Sequence, residues 1–294
     1  MRDGPEGKAA GEAESDSAPE AAVAEDGSLL RFTVLGCGSS GGVPRIGADG
    51  PQWGDCDPAE PRNRRRRCSL LIERIGTGGK TRVLIDAGPD VREQLIDAGA
   101  GDLDAVIFTH DHADHCHGID DLRMVFFNRR RRLPAYMDTD TERTLDRRFG
   151  YIFETPEGSS YPPILDKRMI EGTVVVEGEG GSLACQPFAV PHGRAMALGF
   201  RIGPLVYVPD ISEMTNEAWA MLQGAEVWVI DALRYRPHPS HANVETALGW
   251  VARSGVPRAY LTNLHVDLDY QMLDAATPTH VSPAFDGLVL DFPA

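Results

Sequence analysis

The chain has 294 residues, of which 42% are hydrophobic and 25% charged, and its net charge at pH 7 is −15. These are globular values, and the length suits one large domain with a sizeable core. The acidic balance argues against broad binding of duplex nucleic acid, which relies on a basic face. No run of about 18 apolar residues occurs, which argues against a transmembrane helix and a membrane partner. The chain opens without a secretory signal and has five cysteines, so we expect reduced thiols and a cytoplasmic location.

The N-terminal 28 residues differ in composition from the rest of the chain. Residues 1–27 hold eight acidic and two basic residues among Ala, Gly, Ser and Pro, with almost no large apolar side chains. Such a segment cannot bury enough apolar surface to fold. We therefore predict a disordered acidic tail at 1–28 and a single folded domain at 29–294, since no linker or internal repeat divides the remainder.

Strand-like and helix-like patterns alternate along the predicted domain. The strand-like runs are 30–35, 69–74, 82–85, 105–109, 173–176, 183–190, 198–202, 205–208, 227–230, 259–261 and 287–290. The helix-like segments are 90–98, 117–127, 141–148, 213–222 and 242–253. Many strands with interleaved helices predict an α/β protein in which two sheets pack together with helices outside.

A dense cluster of metal-ligand residues follows the strand-like run 105–109. It contains His110, His112, Asp114 and His115. In an extended turn alternate side chains point the same way, so His110 and His112 can bind one ion while Asp114 and His115 turn towards a second. The spacing therefore predicts a two-metal site.

Three further ligand-type residues each follow an apolar run. They are His192, Asp210 and His265. Strand ends are rigid, and the loops that leave them commonly carry functional sites. We assign His192 to the first ion, His265 to the second, and Asp210 to a position that bridges both.

The predicted ligands are imidazoles and carboxylates without a thiolate, which suits Zn²⁺ and Mn²⁺, and also Fe. Two such ions, about 3.5–4 Å apart, can share a hydroxide and stabilise both the attacking and the leaving oxygen. With two carboxylates and one hydroxide the centre would carry a charge of about +1, which favours an anionic substrate such as a phosphodiester. Carbonyl substrates also react at such centres, so the bond cleaved stays open.

The ligand pattern, His-x-His-x-Asp-His followed by a distant His, Asp and His, resembles the signature of the metallo-β-lactamase fold. The resemblance covers about residues 30–290 and implies a four-layer αββα sandwich with the site at one edge. It also implies a metal-dependent hydrolase, for which a homodimer is common. Because Asp210 stands where true β-lactamases have a cysteine, the resemblance does not extend to antibiotic hydrolysis.

Four further segments resemble the phosphoribosyl cyclic phosphodiesterase (PhnP-type) branch. They are 35–44 (Leu-Gly-Cys-Gly-Ser-Ser-Gly-Gly-Val-Pro), 67–69 (Arg-Cys-Ser), 84–88 (Leu-Ile-Asp-Ala-Gly) and 285–287 (Phe-Asp-Gly). Members of this branch cleave cyclic phosphodiesters, often with Mn²⁺. The branch is related to ribonuclease Z and to the pyrroloquinoline-quinone biosynthesis protein B, whose Pro-Gln-Trp segment residues 51–53 match. Relatives often hold a structural zinc in the loop after the first strand, but here that loop keeps only Cys56, so we predict no zinc there.

The resemblance gives roles to three residues around the metals. Asp86 is similar to an aspartate that orients the metal-binding turn, although a plain strand-end cap is the alternative. His241 is similar to a histidine that protonates the leaving oxygen or holds the phosphate; its alternative is a helix cap or a surface position. An acid role for His241 needs a nearby carboxylate, and the resemblance points to Asp114, which would thus serve catalysis as well as metal binding.

These observations predict a dinuclear phosphodiesterase that hydrolyses a small anionic phosphodiester or nucleotide through a metal-bound hydroxide. Three alternatives remain open: a thioester or lactone hydrolase on the same site, a ribonuclease Z-like RNA nuclease, and a non-catalytic metal-bearing carrier. The basic run 62–67 could contact an anionic substrate, whereas 129–132 reads as the basic end of a helix.

Overall fold

The computed structural model describes residues 27–294. The predicted tail at 1–28 therefore lies outside the described residues, apart from its last two positions. Within 27–294, none of the helices is both long and apolar enough to span a membrane.

Sixteen strands and seven α-helices are present in this range. The strands are β1 Leu29–Gly36, β2 Arg45–Gly47, β3 Gly50–Gln52, β4 Ser69–Gly76, β5 Gly79–Ile85, β6 Ala105–Ile107, β7 Leu133–Met137, β8 Leu165–Met169, β9 Val174–Val176, β10 Leu183–His192, β11 Ala195–Ile202, β12 Leu205–Val208, β13 Val227–Asp231, β14 Arg258–Thr262, β15 Val281–Pro283 and β16 Leu288–Pro293. The helices are α1 Val91–Asp97, α2 Ala113–Cys116, α3 Leu122–Arg129, α4 Thr139–Phe153, α5 Asn216–Met221, α6 Val244–Ser254 and α7 Tyr270–Ala276.

Two seven-stranded sheets form the centre of the domain. The first has the order β16-β1-β4-β5-β6-β7-β8 and the second β15-β14-β13-β12-β11-β10-β9, while β2 and β3 form a separate hairpin. In the first sheet β5 to β8 run parallel, and in the second β12 to β15 do. Both parallel stretches therefore deliver their carboxyl ends on one side of their sheet.

The strand β13 shows why the two sheets are covered on both faces. All five of its residues are buried, as expected for a central parallel strand. Val227 and Val229 pack into the core between the sheets, and Trp228 and Ile230 into the core beneath α5 and α6. This alternation follows from the two-residue period of a strand.

A third core lies on the other side of the first sheet. There Leu84 and Val106 pack with Leu122 of α3 and Leu145 of α4. Three apolar layers thus separate helices, sheet, sheet and helices, which confirms the predicted αββα sandwich.

The elements agree with the sequence prediction over most of the chain. Every predicted strand run overlaps a strand, but β2, β3, β7, β8, β15 and helices α2 and α7 were not predicted. The predicted helix at 117–127 is also wrong in its bounds. A short helix, α2, ends just before it inside the ligand cluster, a 3-10 turn occupies residues 119–121, and α3 begins only at Leu122.

Candidate metal centre

Polar side chains stand at or just beyond the carboxyl ends of five strands. Asp86 follows β5, His110 follows β6, His192 ends β10, Asp210 follows β12 and Asp231 ends β13. The contacts described below join all five. One edge of the sandwich therefore collects ligand-type groups from both sheets.

Three overlapping groups could each hold a metal ion, because their ligand atoms lie within 4.8 Å of one another. They are His110–His112–His192, His110–His115–Asp210 and His192–Asp210–His241. Five of the seven predicted ligands belong to these groups. A sixth, Asp114, lies beside them with Oδ2 3.6 Å from Nε2 of His115.

The metal-binding turn packs directly on the loop that follows β5. Ala87 N–H donates to the His115 carbonyl at 2.8 Å, and Gly118 N–H donates to the Ala87 carbonyl at 2.9 Å. A Cβ on Gly88 would lie 2.0 Å from the carbonyl oxygen of Asp114, so only glycine fits there. Two backbone contacts and one close approach thus fix the position of the turn.

The buried Asp86 orients two of the ligand imidazoles. Its Oδ1 accepts from Thr109 N–H at 2.8 Å, and its Oδ2 lies 2.8 Å from Thr109 Oγ1 and 2.7 Å from His115 Nδ1. Since the threonine hydroxyl donates its proton to the carboxylate, its oxygen accepts from His110 Nδ1, 2.9 Å away. This tautomer, inferred from the hydrogen bonds, leaves Nε2 of both histidines free for a metal.

His192 is oriented in the same way from the second sheet. Its Nδ1 donates to the Ser240 carbonyl at 2.7 Å, and its Nε2 faces Nδ1 of His112 at 3.2 Å. A backbone carbonyl can only accept, so Nε2 of His192 carries a lone pair. Burial lowers the pKa of His192, which favours the neutral imidazole that metals bind.

Two buried atoms at the centre show that a cation fits. Within residues 27–294, Nε2 of His110 and Oδ2 of Asp210 make no hydrogen bond of good geometry. Oδ2 of Asp210 lies 2.7 Å from Nε2 of His115, whose Nδ1 proton is already donated to Asp86. A lone pair facing a carboxylate at this distance needs a proton or a cation between them, so the donor set fits a divalent metal.

The acid candidate His241 contacts a different carboxylate from the one we expected. Its Nδ1 lies 2.8 Å from Oδ2 of Asp231 and 3.2 Å from Oδ1 of Asp210, and no ion pair joins it to Asp114 within the described residues. Burial raises the pKa of Asp231 to about 7. For His241, burial opposes the charged form, but the charges of Asp231 and Asp210 outweigh it and raise its pKa to about 9. Asp231, the last residue of β13, is therefore the hydrogen-bond partner of His241, while the charge of the expected Asp114 also raises the pKa of this imidazole.

His265 is the predicted ligand that the structure does not bring into the cluster. No metal-ligand group within the described chain includes it, and its Nδ1 lies 2.9 Å from Asp267 Oδ1. Asn263 stands at the end of β14 instead, buried and with a left-handed φ of 61°. Its Nδ2 donates to Oδ1 of Asp210 at 2.6 Å. The chain turns at Asn263, and two residues later His265 pairs with Asp267 instead of joining a ligand group.

The basic runs contact the protein itself. The ion pairs of the first run are Arg62–Glu60, Arg66–Asp97, Arg66–Asp286 and Arg67–Asp90. Arg65 is buried against Asn63, His265 and Cys56. Arg129, the last residue of α3, pairs with Asp102 and Asp104. Apart from the exposed Arg64, which lies over the ring of Trp53, the arginines of the first run therefore contact neighbouring parts of the protein.

Two residues of the centre, Asp231 and Asn263, were not predicted. Asp231 ends a fully apolar run, a position that it shares with Asp86, although Asp86 received its predicted role from the family resemblance. Asn263 carries no comparable signal, because an asparagine after a strand is typical of a turn. The cysteine Cys56 donates to the Val266 carbonyl, and no metal-ligand group in the described range contains a cysteine.

Comparison with known proteins identifies the family. Residues 81–263 match the family model described as β-lactamase superfamily domain. Among solved structures, a diphosphatase described as new and from the PhnP family is 33% identical, with a TM-score of 0.78 over 90% of this chain and 97% of that one. Zn²⁺-bound PqqB from Methylobacterium extorquens is 18% identical, with a TM-score of 0.66 over 88% and 99% of the two chains.

A curated relative carries a different name. The octanoyltransferase of Porphyromonas gingivalis (strain ATCC BAA-308 / W83) is 33% identical over 262 residues, which are 88% of this chain. The chain spans about half, 51%, of the length of that relative. Together, the matched family model, the PhnP-family structure and the His/Asp centre show that the chain belongs to the β-lactamase superfamily and is a metal-dependent hydrolase of the metallo-β-lactamase fold, similar to the PhnP family.

Proposed function

We propose that the chain is a dinuclear metal-dependent phosphodiesterase that hydrolyses a small anionic phosphodiester. The observation that carries this proposal is the pairing of the metal-ligand cluster with His241, a proton donor held by Asp231 at 2.8 Å. A cluster alone supports many hydrolytic reactions. A positioned acid beside it suits the expulsion of a basic alkoxide, which a phosphodiester of ribose releases.

The residues that would hold the ions come from both sheets. His110, His112 and His192 would hold the first ion and Asp114 and His115 the second, with Asp210 between them. Zn²⁺ and Mn²⁺ both suit this set, as does Fe²⁺. When bound, such ions act as Lewis acids on the phosphoryl oxygens and lower the pKa of water.

The protein side chains have two separate roles: some orient the metal ligands, and others hold or donate a proton. Asp86 holds the imidazole of His115, and through Thr109 that of His110, in the tautomer that presents Nε2 to the centre. His241 donates its Nε2 proton to the leaving oxygen as the bond from phosphorus to that oxygen breaks. Asp231 keeps His241 protonated for this step. The new bond forms between phosphorus and the oxygen of water, the proton that this water loses passes to solvent, and His241 is protonated again from solvent.

Arginines in α4 and in two loops around the centre support an anionic substrate. Arg148 donates to the Asp111 carbonyl at 2.8 Å, next to the metal-binding turn. Arg194 lies in the turn between β10 and β11, and Arg234 and Arg236 in the loop that leads to His241. None of the four has an ion-pair partner among residues 27–294. Free positive charge near the site of a protein with net charge −15 favours a phosphate over a neutral ester.

A diphosphate is the second candidate substrate. The observation that favours it is the 33% identity to a protein described as a diphosphatase, over almost its whole length. The same ligands and cations serve a P–O–P bond. Its leaving group is a phosphate, which is a weaker base than an alkoxide. Protonation of the leaving oxygen by His241 therefore matters less for this substrate.

A reaction on an acyl substrate is the rival to both the phosphodiester and the diphosphate. The octanoyltransferase name belongs to a relative about twice as long as the matched region. We therefore treat an acyl reaction of this chain only as the rival to be tested. We expect turnover of bis-p-nitrophenyl phosphate and a 2′,3′-cyclic nucleotide by the full chain loaded with Mn²⁺ or Zn²⁺. Turnover of a thioester with inert diester and diphosphate would refute the proposal.

Matched variants connect any activity to the centre. His192→Ala removes an imidazole from the first ion and should abolish phosphodiester hydrolysis. His280→Ala changes an exposed histidine outside the cluster and should leave it intact. Equal activity of both variants would show that a contaminating enzyme produced the signal.

A further inference from the structure

The two halves of the metal centre differ in their donors, and Asn263 is the residue that makes them differ. Three strand ends deliver imidazole or carboxylate: His110 after β6, His192 on β10 and Asp210 after β12. The fourth, after β14, delivers the carboxamide of Asn263. A carboxamide binds metals only through its oxygen and carries no charge.

The hydrogen bonds of Asn263 fix the orientation of its side chain. Nδ2 lies 2.6 Å from Oδ1 of Asp210 and 3.2 Å from the carbonyl of Pro209, and Nδ1 of His241 is a third neighbour at 3.2 Å. The first two neighbours are oxygen atoms that can only accept, so the amino group faces them. The group nearest the shared carboxylate is therefore an N–H donor, which cannot bind a cation.

The remaining donors show the asymmetry. The first half of the centre has three imidazoles, His110, His112 and His192, with ligand atoms within 4.8 Å of one another. In the second half, His115 lies beside the carboxylates Asp114 and Asp210, and among residues 27–294 the only other imidazole grouped with it is His110, which it shares with the first half. Imidazole gives Zn²⁺ and similar ions a stronger hold than oxygen ligands do.

Asn263 also engages the shared carboxylate. An N–H at 2.6 Å from Oδ1 of Asp210 withdraws charge from that oxygen and leaves Oδ2 as the atom facing His110 and His115. A single oxygen then serves both halves. The half that already has three imidazoles keeps its ion if Asp210 is weakened, whereas the second half does not.

We propose that Asn263 makes the second metal position the weaker one, so that the chain binds its two ions in separate steps. This inference rests on the proposed dinuclear centre. It assigns to Asn263 a specificity role in metal loading, and it leaves His265 outside the coordination of either ion.

The test is a metal titration that needs no substrate. The metal-free full chain is titrated with Zn²⁺ by calorimetry, and the zinc content of the chain after gel filtration gives the number of ions bound at each stage. We expect two dissociation constants that differ by at least about 10-fold, the lower end of the effect of one partner of a metal ligand. Two constants closer than this would overturn the inference.

Two variants separate Asn263 from His265. Asn263→His places an imidazole at the end of β14, and histidine tolerates the left-handed backbone there better than most residues. It should tighten the second constant by about 10–100-fold and leave the first unchanged; an unchanged second constant contradicts the inference. His265→Ala should keep both wild-type constants, and loss of one ion from it would show that His265 is the ligand instead.

These readouts stay distinct from the proposed function. If the chain binds its metal ions in two steps but does not hydrolyse a phosphodiester, the proposed function is refuted and the inference about Asn263 still holds. If the chain hydrolyses a phosphodiester but binds both ions with equal affinity, the proposed function is supported and the inference about Asn263 is refuted. If Asn263→His fails to fold by circular dichroism, the wild-type constants and His265→Ala still decide the matter.

Discussion

Replacement of Asp231 by asparagine tests whether His241 acts as an acid. Asp231 is fully buried, and its Oδ2 lies 2.8 Å from Nδ1 of His241 and accepts from Ile211 N–H at 3.1 Å. Asparagine has nearly the same shape, and its oxygen can still accept from Nδ1. The substitution therefore removes a charge and little else.

The expected loss depends on the leaving group. A positioned general acid contributes about 10²–10⁴-fold to a rate, which corresponds to about 3–5 kcal/mol in the transition state. Without the Asp231 charge, His241 loses its main source of protonation, and a diester that releases a basic alkoxide should lose at least about 100-fold in kcat. A diester that releases p-nitrophenolate needs no proton and should lose much less.

The assay compares kcat for two diesters that differ only in the leaving group, at verified metal content. Asp267→Asn is the matched control, since Asp267 pairs with His265 away from the cluster. An equal loss for both diesters, or a lowered metal content, would refute the reasoning. Asp231 would then support the metal ligands rather than proton transfer.

Further predictions concern stability. Gly88→Ala places a Cβ 2.0 Å from the Asp114 carbonyl and should cost about 1–3 kcal/mol in urea unfolding, whereas Gly249→Ala, in open space on α6, should stabilise by up to about 1 kcal/mol. Burial raises the pKa of Asp286 from 3.8 to about 6, so its neutral form favours the folded state. That contribution to stability is complete below pH 4 and is lost as the pH rises through 6. The free energy of unfolding of Asp286→Asn, measured relative to wild type, should therefore rise by up to about 3 kcal/mol between pH 4 and 7. A difference between the two proteins that does not depend on pH would contradict this. Removal of divalent ions by a chelator should lower the Tm of wild type more than that of His192→Ala, because the ions bind only the folded chain.

The fold was predictable where burial is complete on both faces of a strand. The run 227–230 of β13 is apolar throughout, and its neighbour β12 is fully buried as well, whereas β14 begins with the exposed Arg258 and is only partly buried at Tyr260. Strands β7 and β8 were missed, because β7 contains Pro134 and β8 carries three charged residues in five. Both pair in the first sheet through their backbones, and their sequences carry little of that information.

The site was predictable to the extent that ligands follow strand ends. This rule identified His110, His192 and Asp210, and it fails at β14. There the histidine nearest the strand is His265, but the intervening Asn263 adopts a left-handed backbone and turns the chain. A spacing of two residues cannot show which side of such a turn a side chain takes. The direction of the turn is set by tertiary contacts, including His265 N–H to the Leu233 carbonyl.

Asp210 explains why the most informative substitutions lie beside the ligands and not on them. Its Oδ2 faces His110 and His115, while its Oδ1 accepts from Asn263 and lies 3.2 Å from His241. One carboxylate thus joins both metal positions to the acid. Any change to Asp210 disturbs all three together and cannot apportion their contributions. Substitution of Asp231 acts on the hydrogen-bond partner of the acid. Substitution of Asn263 acts on the amide that binds Oδ1 of Asp210, although its Nδ2 also lies 3.2 Å from Nδ1 of His241. Comparison of these two positions therefore helps to separate functions that the shared carboxylate combines.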